Sequence, residues 1–256
     1  MTGVPQATVD SLLAAARKLR RGSWSDSLHE LGASWLGKEV SGLQRPTLLA
    51  IDGLSGAGKS TLAQPLAAAL QAPVVHMDDL YDGWEAGPAS GASRLEREVY
   101  EPLRAGRQAS YQAYDWVEGC LGDTVVIPPA NFVLVEGCGS AGHLWAAGLM
   151  HNFDGLLVWV QAPDALRLSR SVARDGDHHR QHLEQWMRQE RLYYAQVCTF
   201  AAADIVVDAW GRIVQGPERS HEQRWPGVDP PGRLPMDQWF ASRRGAGIWS
   251  SEDISG

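Results

Sequence analysis

Thr47 to Thr61 reads TLLAIDGLSGAGKST, and this stretch decides the fold. Leu48 to Ile51 is a short apolar run of the kind a buried strand uses. It ends in a glycine-rich loop that closes with Lys59, Ser60 and Thr61, after which the helix-favouring TLAQPLAAAL begins. Strand, loop and helix in that order are the setting of a phosphate-binding P-loop. Gly53, Gly56 and Gly58 permit backbone conformations that a side chain would obstruct, so that successive N–H groups, those of Ser55 and Ala57 among them, can point inward at phosphate oxygens. The helix N-terminus adds its positive end at the same place. Lys59 can reach β- and γ-phosphates as a mobile point charge, and the Ser60 hydroxyl is placed to ligate magnesium. Thr61 is either a further phosphate contact or an early helix residue.

Downstream, APVVHMDDLYDGW carries a short strand at Val74 and Val75 that runs into Asp78 and Asp79. The carboxyl ends of parallel strands gather around a ligand crevice, so these acids are expected beside the phosphates rather than in a surface turn. Arg94 to Leu103 reads as a helix interrupted near Pro102 and finished by Gly106. SYQAYDWVEG then groups Tyr111, Tyr114, Asp115 and Trp116, which either form a loop packed by its own rings or one wall of an acceptor pocket. A small strand is expected over Val125–Ile127. NFVLVE, residues 131–136, is a stronger strand ending in an acid, and in P-loop enzymes such an acid holds magnesium directly or through water. LLVWV, residues 156–160, is apolar on both faces and reads as another buried parallel strand.

Pro163 opens a helix on which Arg167, Arg170 and Arg174 share a face at offsets of three and four. After the loop DGDHHRQH, a second helix is expected from Leu183 to about Val197. A helical hairpin bearing arginines suits a lid, at about 167–185, that closes over phosphates, against the plainer alternative of a solvated basic face. His178, His179 and His182 have no matching ligand group and read as an exposed loop. ADIVVD, residues 203–208, supplies the last strand. Thus 46–208 reads as the core, 1–45 as a helical arm and 209–256 as an irregular extension carrying Trp210, Trp225, Trp239 and Trp249. The arm shows Val9, Leu12, Leu13, Ala16 and Leu19 at helical spacing, with Thr8 or Asp10 as N-cap, and a second amphipathic piece from Ser25 to about Leu36.

Across 256 residues the formal net charge is −7, which argues against a chain that coats nucleic acid or an anionic membrane. Cys120, Cys138 and Cys198 are odd in number and lack metal-ligand spacing, so free thiols in a reducing cytoplasm are expected. No apolar run approaches membrane-spanning length. Eleven tryptophans are many for this size; some must be core, and those beside polar motif residues can stack on a substrate ring.

Over roughly residues 46–208 the order of motifs resembles the uridine kinase group of P-loop kinases, related to phosphoribulokinase and pantothenate kinase. The matching pieces are IDGLSGAGKST, the strand ending MDDLY, the AYDWV segment, the strand ending VLVEG, and APDALRLSRSVARD leading into the lid. The resemblance implies an α/β P-loop NTPase fold, a parallel sheet flanked by helices with a helical lid, and an enzyme that uses ATP and magnesium. It implies that Asp78 is the general base and Glu136 a magnesium partner beside Ser60. Lys59, Arg170 and Arg174 would act on the transferring phosphate, and Tyr81, Tyr114, Trp116 and Arg167 would lie on the acceptor side. Two departures matter. Glu118 and Gly119 stand where that group has a polar residue and a pyrimidine-reading histidine, and its ribose-handling acidic stretch has no counterpart in GPASGASRLEREV. Trp84 and Trp116 therefore shape a different pocket.

The expected activity is transfer of the γ-phosphate to a hydroxyl of a small molecule, with a nucleoside as the first candidate. The alternative is a nucleotide-binding regulatory or ATPase module without an acceptor. Neither an Asn-Lys-x-Asp guanine motif nor a Leu-Ser-Gly-Gly signature is present.

Overall fold

The computed structural model describes residues 3–22, 45–142, 145 and 155–215. The amphipathic piece at Ser25–Leu36 and Trp225, Trp239 and Trp249 lie outside the described residues. At the centre is β1, Thr47–Asp52, buried along its whole length. It is flanked in parallel by β5, Phe132–Glu136, and by β6, Gly155–Val160, with Leu49 opposite both Leu134 and Leu156. Beyond β5 lies β2, Val74–His76, and beyond β6 lies β7, Ile205–Val207. An antiparallel edge strand, β8, Ile213–Gln215, completes the order β2-β5-β1-β6-β7-β8. The sheet therefore continues past residue 208.

Strand side chains alternate between faces, and the sheet consequently has two cores. Leu48, Ala50, Val133, Val135 and Leu157 face one layer. Leu49, Ile51, Leu134, Leu156 and Val158 face the other, where helix α1, Gln6–Gly22, and helix α2, Lys59–Leu70, cover them. Val9, Leu12, Leu13 and Ala16 of α1 are buried in that layer, so the described part of the N-terminal arm is built into the core. The helix starts at Gln6, earlier than the expected caps, with Pro5 supplying the first carbonyl to the Thr8 N–H.

The opposite layer contains α3, Gly87–Leu95, which passes through a π-turn at Glu96–Tyr100 into α4, Glu101–Arg104. Tyr111 to Asp115, expected as a loop or pocket wall, belong instead to a strand, β3, Ala109–Asp115, paired with β4, Cys120–Ile127. The small strand expected at Val125–Ile127 is only the end of β4. Asp115 Oδ1 accepts the Val117 and Glu118 N–H groups and closes the turn. The arginine helix is α5, Asp164–Asp175, and after a 3-10 turn at Asp177–His179 comes α6, Arg180–Val197, followed by the short α7, Thr199–Ala202. Among the described residues no helix is long and apolar enough to cross a membrane.

Candidate active site

The carboxyl ends of β1, β5 and β2 meet at one edge of the sheet, and the P-loop rises from β1 there. Gly53 and Gly56 have φ of +136° and +74°. A Cβ on Gly53 would sit 2.2 Å from the Val160 carbonyl oxygen, and one on Gly56 would sit 2.4 Å from that of Arg167. The loop is thus pressed against β6 and α5, and only glycine fits. Lys59 is buried, and its Nζ donates to the Leu54 carbonyl at 2.9 Å. Burial opposes its charge, but the Cys138 sulfur, in the alkaline range, and Glu136, Glu190 and Asp52 outweigh that and hold its pKa above the ordinary lysine value.

Ser60 Oγ donates to Glu136, lying 3.1 Å from each carboxylate oxygen. His76 Nδ1 is 2.8 Å from Glu136 Oε1. Burial pushes the Glu136 pKa up; the His76 hydrogen bond, the Lys59 and His76 charges and the Ser60 hydroxyl reverse this and leave it below the ordinary glutamate value. A hydroxyl and an ionised carboxylate at the phosphate cradle are hard oxygen donors of the kind magnesium takes. Among the described residues no group of three or more His, Cys, Asp or Glu could hold a metal alone.

Asp78 occupies a 3-10 turn, Met77–Asp79, directly after β2. Water reaches it through the cleft while protein crowds it from the other sides. This crowding, and next the Glu136 charge, raise its pKa; Lys59, Arg174 and His76 offset part of the rise. Two cavities meet here. One, of about 460 Å³, runs from the P-loop past Arg170 to Trp210; the other, of about 440 Å³, opens among Tyr81, Trp84, Trp116 and Trp186. Ser55, Asp78, Arg174 and Trp186 line both.

A family model described as AAA domain matches residues 48–195, more than half of the chain. The chain belongs to this AAA-domain family. The AAA domain here is a mostly parallel sheet flanked by helices, with the P-loop between β1 and α2. It is similar to a possible uridine kinase from Bacillus stearothermophilus at 22% identity, covering 71% of this chain and 97% of that one, with a TM-score of 0.45. It is also similar to a D-glycerate 3-kinase from Cryptococcus neoformans at 14% identity, covering 82% and 98%, with a TM-score of 0.49. A shikimate kinase from Bacteroides thetaiotaomicron is 18% identical, with 64% and 86% covered and a TM-score of 0.37. No curated protein matches the chain.

Within this AAA domain the expected residues separate into groups. The loop residues from Ser55 to Thr61, with Asp78, Glu136, Arg170 and Arg174, line the nucleotide-sized cavity, and Thr61 is among them. Arg170, expected over the transferring phosphate, instead donates through Nη1 to the Ala57 carbonyl at 3.1 Å and through Nη2 to that of Ala209 at 2.9 Å, so it joins the P-loop to the turn after β7. Tyr81 and Trp116 line the second cavity, with the Tyr81 hydroxyl donating to the Cys138 carbonyl at 2.8 Å and Trp116 Nε1 to that of Asp78 at 2.9 Å. Tyr114 is not in that lining; its ring supports Trp116 from behind, with centroids 5.1 Å apart.

Arg167 corrects the expectation of an acceptor-side residue. It is fully buried beneath the loop, where Nη1 donates to the Ser55 carbonyl at 2.9 Å and to Glu190 Oε1 at 2.5 Å, and Nη2 to Asp164 Oδ1 at 2.5 Å. A guanidinium fork carried into the interior needs carboxylate and carbonyl partners; α5 and α6 supply the carboxylates and the P-loop the carbonyl.

Asp52 and Glu190 were not expected. Asp52, fully buried, accepts the Gly53, Gly139 and Ala141 N–H groups and the Tyr194 hydroxyl, tying the start of the loop to the segment after β5. Glu190, also fully buried, accepts the Ser55 N–H at 2.8 Å, and the Ala57 N–H donates to the Leu54 carbonyl at 3.2 Å, so these two amides, expected to point at phosphate oxygens, are engaged within the protein. Burial raises the pKa of each. A signal existed for Glu190: it is the one acid in the stripe Leu183, Trp186, Met187, Glu190, Tyr194, and an acid on an apolar helix face must have a buried partner. Trp210, exposed beside Gly211 with the Arg212 guanidinium 5.3 Å above its ring, also lines the first cavity.

Proposed function

We propose that this protein is an ATP-dependent kinase that transfers the γ-phosphate to a hydroxyl group of a small molecule. One observation carries the reading: the cavity at the P-loop and the aromatic cavity share Asp78 and Arg174. An ATPase or switch has no need of a second, ring-lined cavity opening on the acid beside its phosphate cradle.

Phosphoryl transfer asks the protein mainly for alignment and charge neutralisation. The amides at the N-terminus of α2 and the Lys59 ammonium bind the triphosphate tail, and Trp210 receives the base end. Asp78, ionised but with its pKa raised, takes the proton of the acceptor hydroxyl. The acceptor oxygen then forms its bond to the γ-phosphorus as the bond to the bridging oxygen breaks, and ADP leaves with that electron pair. Lys59 and Arg174 meet the negative charge that spreads over the equatorial oxygens. Ser60 and Glu136 would hold magnesium, which when bound neutralises phosphate charge. The aromatic walls exclude water that would otherwise compete for the phosphoryl group.

The test is ATP consumption with and without a panel of hydroxylated metabolites. Stimulation accompanied by a phosphorylated product supports the kinase; acceptor-independent hydrolysis with no such product supports the regulatory or ATPase alternative.

A further inference from the structure

The lining of the second cavity bears on what its occupant is. Its walls are Tyr81, Trp84, Trp116, His179, Leu183 and Trp186. The rings brace one another: Trp84 meets Trp116 edge to face at 5.2 Å, Tyr81 meets Trp186 at 4.6 Å, and Trp84 stacks on His182 at 5.4 Å and on His179 at 5.9 Å. Trp116 is 39% exposed, so these rings are not simply core. Packed core aromatics do not leave a cavity of about 440 Å³ between them.

The charged lining residues are Asp78, Arg174 and Asp175, gathered at the P-loop end. Arg174 is already held by Asp175, Nε to Oδ1 at 2.6 Å and Nη2 to Oδ2 at 2.8 Å. In the kinase reading this arginine serves the transferring phosphoryl group, so an acceptor's own carboxylate or phosphate has no arginine to itself, and Asp78 and Asp175 face it. Among the described residues the walls carry no Asn, Gln, Ser or Thr beyond Ser55 of the P-loop; what they offer is ring nitrogens of Trp84, Trp186 and His179 and the Tyr81 hydroxyl, few beside the water a polyol must give up. Trp116 Nε1, the indole donor nearest the proposed base, is spent on the Asp78 carbonyl, which fixes the ring plane relative to the reacting end.

We infer that the acceptor is an alcohol whose body is a flat unsaturated ring without an anionic group, held by stacking in the box of Trp84, Trp116 and Trp186 with its hydroxyl toward Asp78. This rests on the kinase reading above and narrows it. Selection by stacking reads the presence of a π-face rather than a hydrogen-bonding edge, so related rings should be accepted together.

The full-length protein with magnesium and ATP is offered 3-pyridinemethanol and uridine as flat-ring alcohols, glycerol and glucose as polyols, and glycerate as a hydroxy acid, with products detected by mass spectrometry. At least one ring alcohol should exceed the polyols and glycerate in kcat/KM by about tenfold or more. Trp116→Ala should cut that preference by about tenfold through KM for the ring alcohol, with KM for ATP little changed, and Trp116→Phe should restore most of it. Trp116 is partly exposed at the β3–β4 turn, so its loss leaves the core intact. A preference for polyols or glycerate, or a Trp116→Ala protein with undiminished preference, overturns the inference and leaves the kinase standing. No phosphorylated product from any alcohol overturns both.

Discussion

Arg167 and Glu190 form a fully buried ion pair, Nη1 to Oε1 at 2.5 Å, and the two side chains grip opposite ends of one P-loop residue. Arg167 donates to the Ser55 carbonyl and Glu190 accepts the Ser55 N–H. One turn further along α6, Tyr194 bonds Asp52 at the start of the same loop. The hairpin expected as a lid is thus fastened to the loop at its base.

Removing one member of such a pair leaves a buried charge with too few partners, at a cost of about 3–5 kcal/mol. Glu190→Ala should therefore lower Tm by roughly 6–20 °C, at the few degrees per kcal/mol typical of this size, and should weaken ATP binding because Ser55 is released. Replacing both residues by methionine removes the uncompensated charge, so the double variant should recover much of the Tm but not the ATP affinity. Thermal melts and nucleotide titrations on the three proteins check this. Equal losses of Tm in single and double variants would show that the pair is not the source of the effect.

The loop itself was legible because its glycines, lysine and serine are contiguous and their role follows from backbone conformation. The strand-ending acids Asp78 and Glu136 were legible because parallel strands deliver their carboxyl ends to one edge. The clamp was not: Arg167 and Glu190 lie 23 positions apart, and from sequence Arg167 shares a helix face with Arg170 and Arg174, which reads as one basic surface. Only packing separates the buried member from the other two. Strand β3 was missed because its partner β4 is mostly exposed, with only Ile127 buried, and so lacks the apolar alternation that marks a strand. Trp84 stacking on His179 and His182 joins residues about a hundred positions apart, which no local pattern announces.

Gly56→Ala should damage the loop through α5. The added carbon meets the Arg167 carbonyl at 2.4 Å, which is backbone and cannot swing away, and the position has φ +74°. Left-handed backbone with a Cβ alone costs about 1–2 kcal/mol, near a factor of ten in binding, and the clash adds to it. ATP affinity should fall by more than about tenfold. Gly58→Ala meets nothing nearer than Arg170 Nη1 at 3.8 Å, so strain acts there without the clash and the loss should be smaller. Nucleotide titration of both variants gives the comparison; equal losses would mean that the contact with α5 contributes nothing.

Lys59→Ala and Asp78→Asn should both abolish turnover while differing in binding. In the proposed reaction Lys59 meets the phosphates, so its loss should weaken ATP, whereas Asp78 serves the acceptor and its amide variant should leave ATP bound. Direct titration with a non-hydrolysable ATP analogue separates the two. Near-normal turnover in Asp78→Asn would remove Asp78 from the role of base.

The pKa of Asp78 links rate and stability with a definite sign. Because the base must be ionised, kcat/KM should fall as pH drops through a pKa that lies above the ordinary aspartate value of 3.8. Glu136→Gln removes a negative neighbour and should move that acid limb down; Arg174→Gln removes a positive one and should move it up, beside its own loss of rate. The folded state binds this proton more tightly than the unfolded chain does, so ionising Asp78 destabilises the fold at every pH above its folded-state pKa. Asp78→Asn should accordingly melt slightly higher than the wild type at neutral pH, the margin kept small by water at the exposed carboxylate, and the difference should shrink as pH falls through that pKa. A wild type that melts at or above the Asp78→Asn protein at neutral pH would mean that the carboxylate is not held at a cost to the fold.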